Sequence, residues 1–464
     1  MTQQLTVAVR KSQLLAQIRH EATHDTVTGL TNRSFFEAWV GDAVSVTDDK
    51  SCTLFIDLDR FKEVNDALGH HAGDALLKEV ANRIQHACPI DGLTSRFGGD
   101  EFAVFVPHTS LAQAEELAAR LTQAVEAPFH VDDTSIAVSP SIGIVESPTH
   151  GNDAAKLLRR ADIAMYEAKK SRQRFAVYND ELEQNDLARL KLLSDLRAAI
   201  LHDELQVHFQ PQVDMRTGKV IGAEALARWT HPDHGNVNPE VFVELAEDAG
   251  LIDPLTDRVL AKSISAAAQW QRRGWDLNVA VNISARSFLD QNLVNVVKRH
   301  LDEADLLPSR LTLEITESTM MADPVRTHEM LLVLTALGVT ISVDDFGTGY
   351  SSLSSLGQFP VSELKIDRSF VMGMTTSEND AIIVRSTIDL AHNLGLKAVA
   401  EGVETESLSA TLQDLQCDLA QGYGISRPLP LLGFNQWFVD QPAASRSSAE
   451  ADSATLLQTD PVSL

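Results

Sequence analysis

Seven short apolar runs in the second half of the chain each carry a polar or ionisable residue within them or at their end. VIGAEALARW holds Glu224, LNVAVNIS holds Asn282, and RLTLEITES holds Glu314 with Glu317. TISVDDFGTGYSS follows with Asp344 and Asp345, ELKID with Lys365 and Asp367, KAVAEGVE with Glu401 and Glu404, and CDLAQGY with Gln421. An acid after a strand is ordinarily a helix N-cap, and at any single position capping is as good an account as chemistry. Capping accounts neither for Lys365 nor for apolar runs interrupted repeatedly by carboxylates. If the runs are strands of a (β/α)8 barrel, their ends converge on one face, where such folds build active sites. Carboxylates crowded into one cleft raise one another's pKa unless cations neutralise them. Oxygen-rich ligation of that kind suits Mg2+ or Mn2+. Two such ions activate a water and stabilise the leaving oxygen of a phosphodiester. The constellation by itself indicates metal-assisted hydrolysis.

In order and spacing, EALARW, VNIS, LEITES, DDFGTGYSSL, LKID, AEGVE and QGYGISRPLP resemble the EAL phosphodiesterase family over about residues 191–439. The resemblance implies hydrolysis of cyclic di-GMP to linear pGpG. It implies that Glu224, Asn282, Glu314 and Asp344 bind a first metal ion and that Asp344 and Asp345 reach a second, with the attacking water between them. Lys365 would hold or polarise that water, and Glu401 would act as a base or a further metal partner. Gln210, Arg228 and Gln421 are implied as substrate contacts, with Asp367 and Glu404 in support; a guanidinium suits phosphate oxygens in particular. The glycines of DDFGTGYSS imply a mobile loop coupled to dimerisation. Gly424-Ile425 stands where the family has larger apolar residues, a change expected to alter packing rather than chemistry.

In the first half, Asp57 ends the apolar run SCTLFIDLD, and Gly98-Gly99-Asp100-Glu101-Phe102 forms the tip of a hairpin pattern. A glycine pair lets backbone approach a ligand closely, and acids on neighbouring strands are suited to share a divalent ion with phosphates. Alone, the glycine pair is simply a hairpin turn. With DTVTGLTNR, FIDLDRFKEVNDALGHHAGDALL, RFGGDEFAVF and ADIAMYEAKK, the region resembles the GGDEF diguanylate cyclase family over about residues 22–178. That resemblance implies metal at Asp57 and Glu101 with Asp100 beside them, phosphate contacts from Lys62 and Lys169, and guanine recognition by Asn65 and Asp74. Each such domain holds one GTP, so condensation to cyclic di-GMP requires two facing domains and hence a homodimer. Two departures stand out. Arg172 and Gln173 occupy the usual Gly-Arg positions after the lysine, and Pro89 and Gly92 occupy the RxxD positions of the family's inhibitory product site, which is therefore expected to be absent.

The elements that must position these residues follow from pattern. Pattern gives an α+β domain followed by an α/β domain, which the resemblances make an α+β GGDEF (nucleotide-cyclase-like) domain followed by an α/β TIM-barrel-like EAL domain. The boundaries read as an N-terminal helix at 1–21, the first domain at 22–178, the start of a connector helix at 179–190, the second domain at 191–440 and an acidic, disordered tail at 441–464. In the first domain the segment after SCTLFIDLD reads as a loop and then one amphipathic helix. Asp180 and Glu183 fit a capping box opening the connector, with Leu190, Leu193, Leu196 and Ile200 on one side.

Composition bounds the rest. A formal charge of −26 over 464 residues disfavours nucleic acid and anionic membrane, since no strongly basic run is present in the sequence. The three cysteines are odd in number and far apart, which argues against disulfides and zinc and fits a reducing cytoplasm. No apolar run reaches the roughly 18 residues of a membrane span. The alternatives at this level are a non-catalytic receptor for cyclic di-GMP and GTP, a net diguanylate cyclase, and a metal phosphohydrolase for another phosphodiester.

Overall fold

The computed structural model describes residues 20–46, 49–131, 134–347 and 356–442. Most of the N-terminal helix expected at 1–21, the segment 348–355 and the tail from 443 lie outside the described residues. The chain divides into two compact units between Lys191 and Leu192.

The first unit is built on a six-stranded sheet. Its strands are β1 (Thr31–Asn32), β2 (Ser51–Leu58), β3 (Leu93–Gly98), β4 (Glu101–Val106), β5 (Pro140–Ser147) and β6 (Phe175–Val177), in the order β1-β3-β4-β2-β5-β6. Central strand β2 is buried along nearly its whole length, as its unbroken apolar run requires of a strand covered on both faces. Side chains alternate across it. Cys52, Leu54, Ile56 and Leu58 pack with helices His70–Ala87 and Leu111–Glu126, while Phe55 packs with helices Arg33–Val46 and Ala154–Lys170. The same alternation places Asp57 on the second face. On β4, Ala103 and Phe105 pack on that face too, which places Glu101 there with them.

Two sequence expectations are corrected in this unit. The segment Phe61–Leu68 is a helix of its own, separated from His70–Ala87 by Gly69, whose φ of 83° an L side chain rarely adopts. The helix Asp180–Leu201 is capped by Asn179, whose Oδ1 accepts from Leu182 N at 3.1 Å, rather than by an Asp180–Glu183 box. Glu183 instead accepts from Tyr178 Oη and from Arg160 at 3.1 Å. On this helix Leu196 and Ile200 are buried, whereas Leu190 is exposed.

The second unit is a closed eight-stranded barrel. Its strands are β7 (Gln206–Asp214), β8 (Val220–His231), β9 (Asn278–Asn282), β10 (Leu311–Thr316), β11 (Thr340–Phe346), β12 (Glu363–Ile366), β13 (Lys397–Ala400) and β14 (Leu419–Ala420). From β8 to β14 every neighbouring pair is parallel, but β7 runs antiparallel to both β8 and β14 and closes the ring. One strand thus departs from the all-parallel order of a regular (β/α)8 barrel, for a local reason. Asp214 Oδ1 accepts from Thr217 N at 2.7 Å, and Gly218 (φ 68°) bonds back to Asp214 O, leaving room for a hairpin turn but not a crossover helix. The core around this barrel is packed by the helices alternating with the strands, with Trp229, Trp270, Phe209 and Phe434 among its fully buried side chains. Among the described residues no helix is long and apolar enough to cross a membrane.

Candidate active sites

Strand register gathers the polar residues of the second unit at one end of its barrel. Glu224 pairs with Gln210 across β7 and β8, and Asn282 pairs with Glu314 across β9 and β10. Asp344 stands beside Thr316 on β11, and Lys365 beside Val399 on β12. Lys365 is 1% exposed, and its ammonium is 2.9 Å from Glu314, 3.1 Å from Asp344, 2.6 Å from Glu401 and 3.8 Å from Glu224. Burial opposes a charge on Lys365, but Asp344, Glu224, Glu314 and Glu401 together hold its pKa well above the ordinary lysine value.

Four carboxylates around one ammonium leave the cluster short of positive charge, and the carboxyl groups register this. Burial and the neighbouring acids raise Glu314 well above the usual carboxylate range and push Glu401 up to about 7. Asp345 is pushed up to about 6 by burial, by Asp344 and by Asp367. Glu224 goes the other way. Burial works against its charge, but Lys365 and hydrogen bonds from Gln421 and Asn282 keep it ionised. Asp344, Asp345 and Glu401 each offer an oxygen, all within 4.8 Å of one another. An oxygen-only, charge-deficient donor set is what a hard divalent cation requires, so these residues fit such an ion.

The walls are equally organised. Asn282 Nδ2 donates to Glu224 Oε1 at 2.6 Å, and Gln421 Nε2 donates to Glu224 Oε2 and to Gln210 Oε1. Gln212, which sequence reasoning missed, donates to Gln421 Oε1 at 3.1 Å; its strand position two residues from Gln210 places it on the same face. A cavity of about 450 Å3 is lined by Gln210, Glu224, Arg228, Asp344, Asp345 and Gln421, with Asp367, Glu401, Glu404 and Tyr423 also on its wall. Asp367 also does what the capping account says, accepting from Ser369 N at 2.9 Å at a helix start. Asp345 has φ 54°, a left-handed backbone that costs a non-glycine residue energy and marks a constrained position. Two residues on, Gly347 N donates to the buried Glu317 Oε2 at 2.9 Å, giving Glu317 a structural partner that the sequence pattern did not indicate. Gly424 sits against the Glu404 carbonyl group, where an added Cβ would lie 2.8 Å from that oxygen.

In the first unit, Asp57 and Glu101 face each other in register on β2 and β4. Arg96 braces the turn between them, bonding Gly99 O at 2.7 Å and Asp25 Oδ1 at 2.9 Å. Lys169 Nζ lies 2.5 Å from Asp57 Oδ1. Burial and neighbouring acids raise the pKa of both Asp100 and Glu101. Asp162, absent from the sequence-based set, is the strongest of the charges acting on Glu101. Gly73 lies so close to Asn65 that an added Cβ would fall 2.0 Å from Asn65 Oδ1, which brings Asn65 beside the residue preceding Asp74. Lys62, Asn65 and Asp74 do not line the groove that Lys169 lines. Pro89 and Gly92 close a turn on each other through a 3.0 Å bond, with Ile90 fully exposed at its tip.

The "Diguanylate cyclase, GGDEF domain" family matches residues 22–174, and the "EAL domain" family matches residues 193–428. The bifunctional diguanylate cyclase/cyclic di-GMP phosphodiesterase MucR of Pseudomonas aeruginosa is 42% identical over 414 residues, covering 88% of this chain and 60% of that protein. The cyclic di-GMP phosphodiesterase PdeR of Escherichia coli is 36% identical over 424 residues, covering 91% of this chain and 64% of that one. The chain thus spans less than two thirds of the length of either. The solved structure of the PaMucR phosphodiesterase in complex with c-di-GMP is 46% identical and covers 52% of this chain and 98% of that one, with a TM-score of 0.51. On the two family matches and the barrel geometry, the chain belongs to the GGDEF and EAL domain families.

Proposed function

We propose that the chain turns over cyclic di-GMP. In this reading the barrel hydrolyses it to linear pGpG with Mg2+ or Mn2+, and the first unit binds GTP and either regulates that reaction or condenses two GTP. The observation that carries hydrolysis is the buried Lys365 ammonium held by Glu314, Asp344 and Glu401, the last two of which line a cavity together with Arg228 and Gln210. The similarity to a phosphodiesterase solved with c-di-GMP supports the choice of substrate.

Glu224, Asn282, Glu314 and Asp344 would hold one divalent ion and Asp344 with Asp345 a second, and when bound such ions supply the charge that activates water and stabilises a leaving oxygen. To serve in that set, Asn282 presents its amide oxygen to the ion. Lys365 orients the attacking water. Glu401, 2.6 Å from Lys365, takes the water's proton, or else joins the metal ligands. The water oxygen forms the new P–O bond and the bond to the 3′ oxygen breaks; that oxygen takes a proton from solvent to become the 3′-hydroxyl, leaving the 5′-phosphate of pGpG. Arg228 clamps a phosphate, while Gln210 and Gln421 contact substrate, supported by Asp367 and Glu404.

In the first unit, Asp57, Asp100 and Glu101 would hold metal, Lys62 and Lys169 phosphate, and Asn65 and Asp74 guanine. Net output favours degradation, because the barrel keeps every residue of its motif set whereas the first unit departs from its family's pattern at Arg172 and Gln173. Cyclase output additionally requires a homodimer that brings two such sites together. The test is purified protein given cyclic di-GMP or GTP with Mg2+ or Mn2+, products being separated by chromatography. Expected are pGpG from cyclic di-GMP, no turnover in EDTA, and near-complete loss in Glu224→Ala. Full hydrolysis by Glu224→Ala overturns the site. Binding of cyclic di-GMP without hydrolysis in either metal favours the receptor reading, and net accumulation of cyclic di-GMP from GTP reverses the ranking of the two activities.

A further inference from the structure

A groove of about 870 Å3 in the first unit is lined by Arg60, Lys169, Arg172 and Arg174 together with Asp59, Glu63 and the neutral Gln173. Four cations meet in it, on a chain whose formal charge is −26. Lys169 and Arg174 are engaged, by Asp57 and Glu126 respectively. Arg60 and Arg172 are not: neither guanidinium has a hydrogen bond or ion pair among the described residues.

The backbones of these two residues sharpen the point. Arg60 has φ 60° and Arg172 φ 53°, and they are the two arginines among the seven described non-glycine residues with positive φ. Arg172 follows the helix Ala154–Lys170, where Gln173 N bonds Ala168 O at 2.9 Å and Arg172 N approaches Lys169 O at 3.4 Å. This is the helix ending in which a left-handed glycine is favoured. An arginine there raises the energy of the fold and gains no partner within it. That two such residues share one groove argues for a ligand outside the chain, since strained positions persist where they serve a site.

Lys169 joins this groove to the acids. Its ammonium is bonded to Asp57, and Asp57 is in register with Glu101, so the cations of the groove adjoin these acids through Lys169. We infer that Arg60 and Arg172, with Lys169, grip the terminal phosphates of a nucleoside triphosphate whose metal-bound end lies at Asp57, Asp100 and Glu101. The positive charge missing at Gln173 is supplied one residue earlier. This inference rests on the GTP reading of the first unit and names the residues that hold its polyphosphate.

The experiment is calorimetric titration of the full chain with Mg2+ and a GTP analogue carrying a methylene between the α and β phosphates, which cannot condense, alongside GMP. Arg60→Gly and Arg172→Gly both suit the left-handed backbone, so their melting temperatures should not fall below wild type. Each is expected to weaken analogue binding by about tenfold or more while leaving GMP affinity unchanged. Wild-type affinity for the analogue in either variant, or an equal loss for GMP, overturns the inference while the GTP reading stands. Failure of the wild type to bind the analogue overturns the GTP reading itself, and the inference with it.

Discussion

The Lys365 ammonium lies 2.6 Å from Glu401 Oε1, and both groups are held inside the barrel with Glu314 and Asp344 around the same nitrogen. Removing the one cation from such a cluster leaves buried carboxylates uncompensated. Breaking a buried ion pair from one side typically costs about 3–5 kcal/mol. Lys365→Ala should therefore abolish hydrolysis and lower the urea midpoint of the barrel in EDTA, with Mg2+ restoring part of that loss. An unchanged midpoint in EDTA would show that the ammonium is not what balances these acids.

Glu317 tests how the strained Asp345 is held. In Glu317→Ala the Gly347 N–H loses its 2.9 Å acceptor, two residues beyond Asp345. The unmet donor costs about 1–3 kcal/mol, and a displaced ligand costs up to about a hundredfold in rate. Hydrolysis by Glu317→Ala should fall about tenfold to a hundredfold at saturating metal. Steady-state rates across a Mg2+ titration will check this, and full recovery at high Mg2+ with an unchanged metal midpoint would exclude the role.

Gly143 is where the helix Ala154–Lys170 meets β5. A Cβ there would fall 1.9 Å from Ala161 O and 2.3 Å from Met165 N, both of them backbone atoms that cannot swing aside. Gly143→Ala should destabilise the first unit by about 3 kcal/mol. Because that helix carries Asp162 and Lys169, GTP-analogue affinity should fall with it. Urea unfolding together with the same calorimetric titration provides the measurement.

His150 gives the first unit a pH dependence on the acid side of neutrality. Burial depresses its pKa below the ordinary 6.5, with Arg160 adding to the effect and Glu146 and Asp180 opposing it. Its Nδ1 accepts from Glu146 N at 3.0 Å, a bond available only to the unprotonated nitrogen. A depressed folded pKa means the stabilisation is fully present above pH 6.5 and is lost as pH falls through the folded value. Between pH 7.5 and 5.5 the wild type should lose more stability than His150→Asn, by less than about 1 kcal/mol once solvent screening is allowed for. Parallel urea midpoints for the two proteins across that range would exclude the effect.

Much of the placement of the candidate site residues was legible in residue order alone. Apolar runs ending in Glu224, Asn282, Glu314, Asp344, Lys365, Glu401 and Gln421 are what inward-facing strand ends require, because alternation on a strand allows a polar group at a set position and no other. The hairpin at Gly98-Gly99 and the acids flanking it were legible for the same reason. So was the division into an α+β unit and a barrel.

What sequence could not supply were relationships created by contact across the fold. The reversal of β7 depends on a turn stabilised by Asp214 and Gly218, which local periodicity does not distinguish from a crossover. The independent helix Phe61–Leu68 depends on one left-handed glycine, and the cap at Asn179 won because Tyr178 and Arg160 already engage Glu183. Asp162 comes to Glu101 from a helix 61 positions further along the chain, and Arg60 meets Arg172 across a groove although no basic run joins them in sequence. Strand pattern by itself therefore determined which residues face inward. Only tertiary packing decided which charges share a cavity, because electrostatic coupling follows distance through space and is blind to separation along the chain.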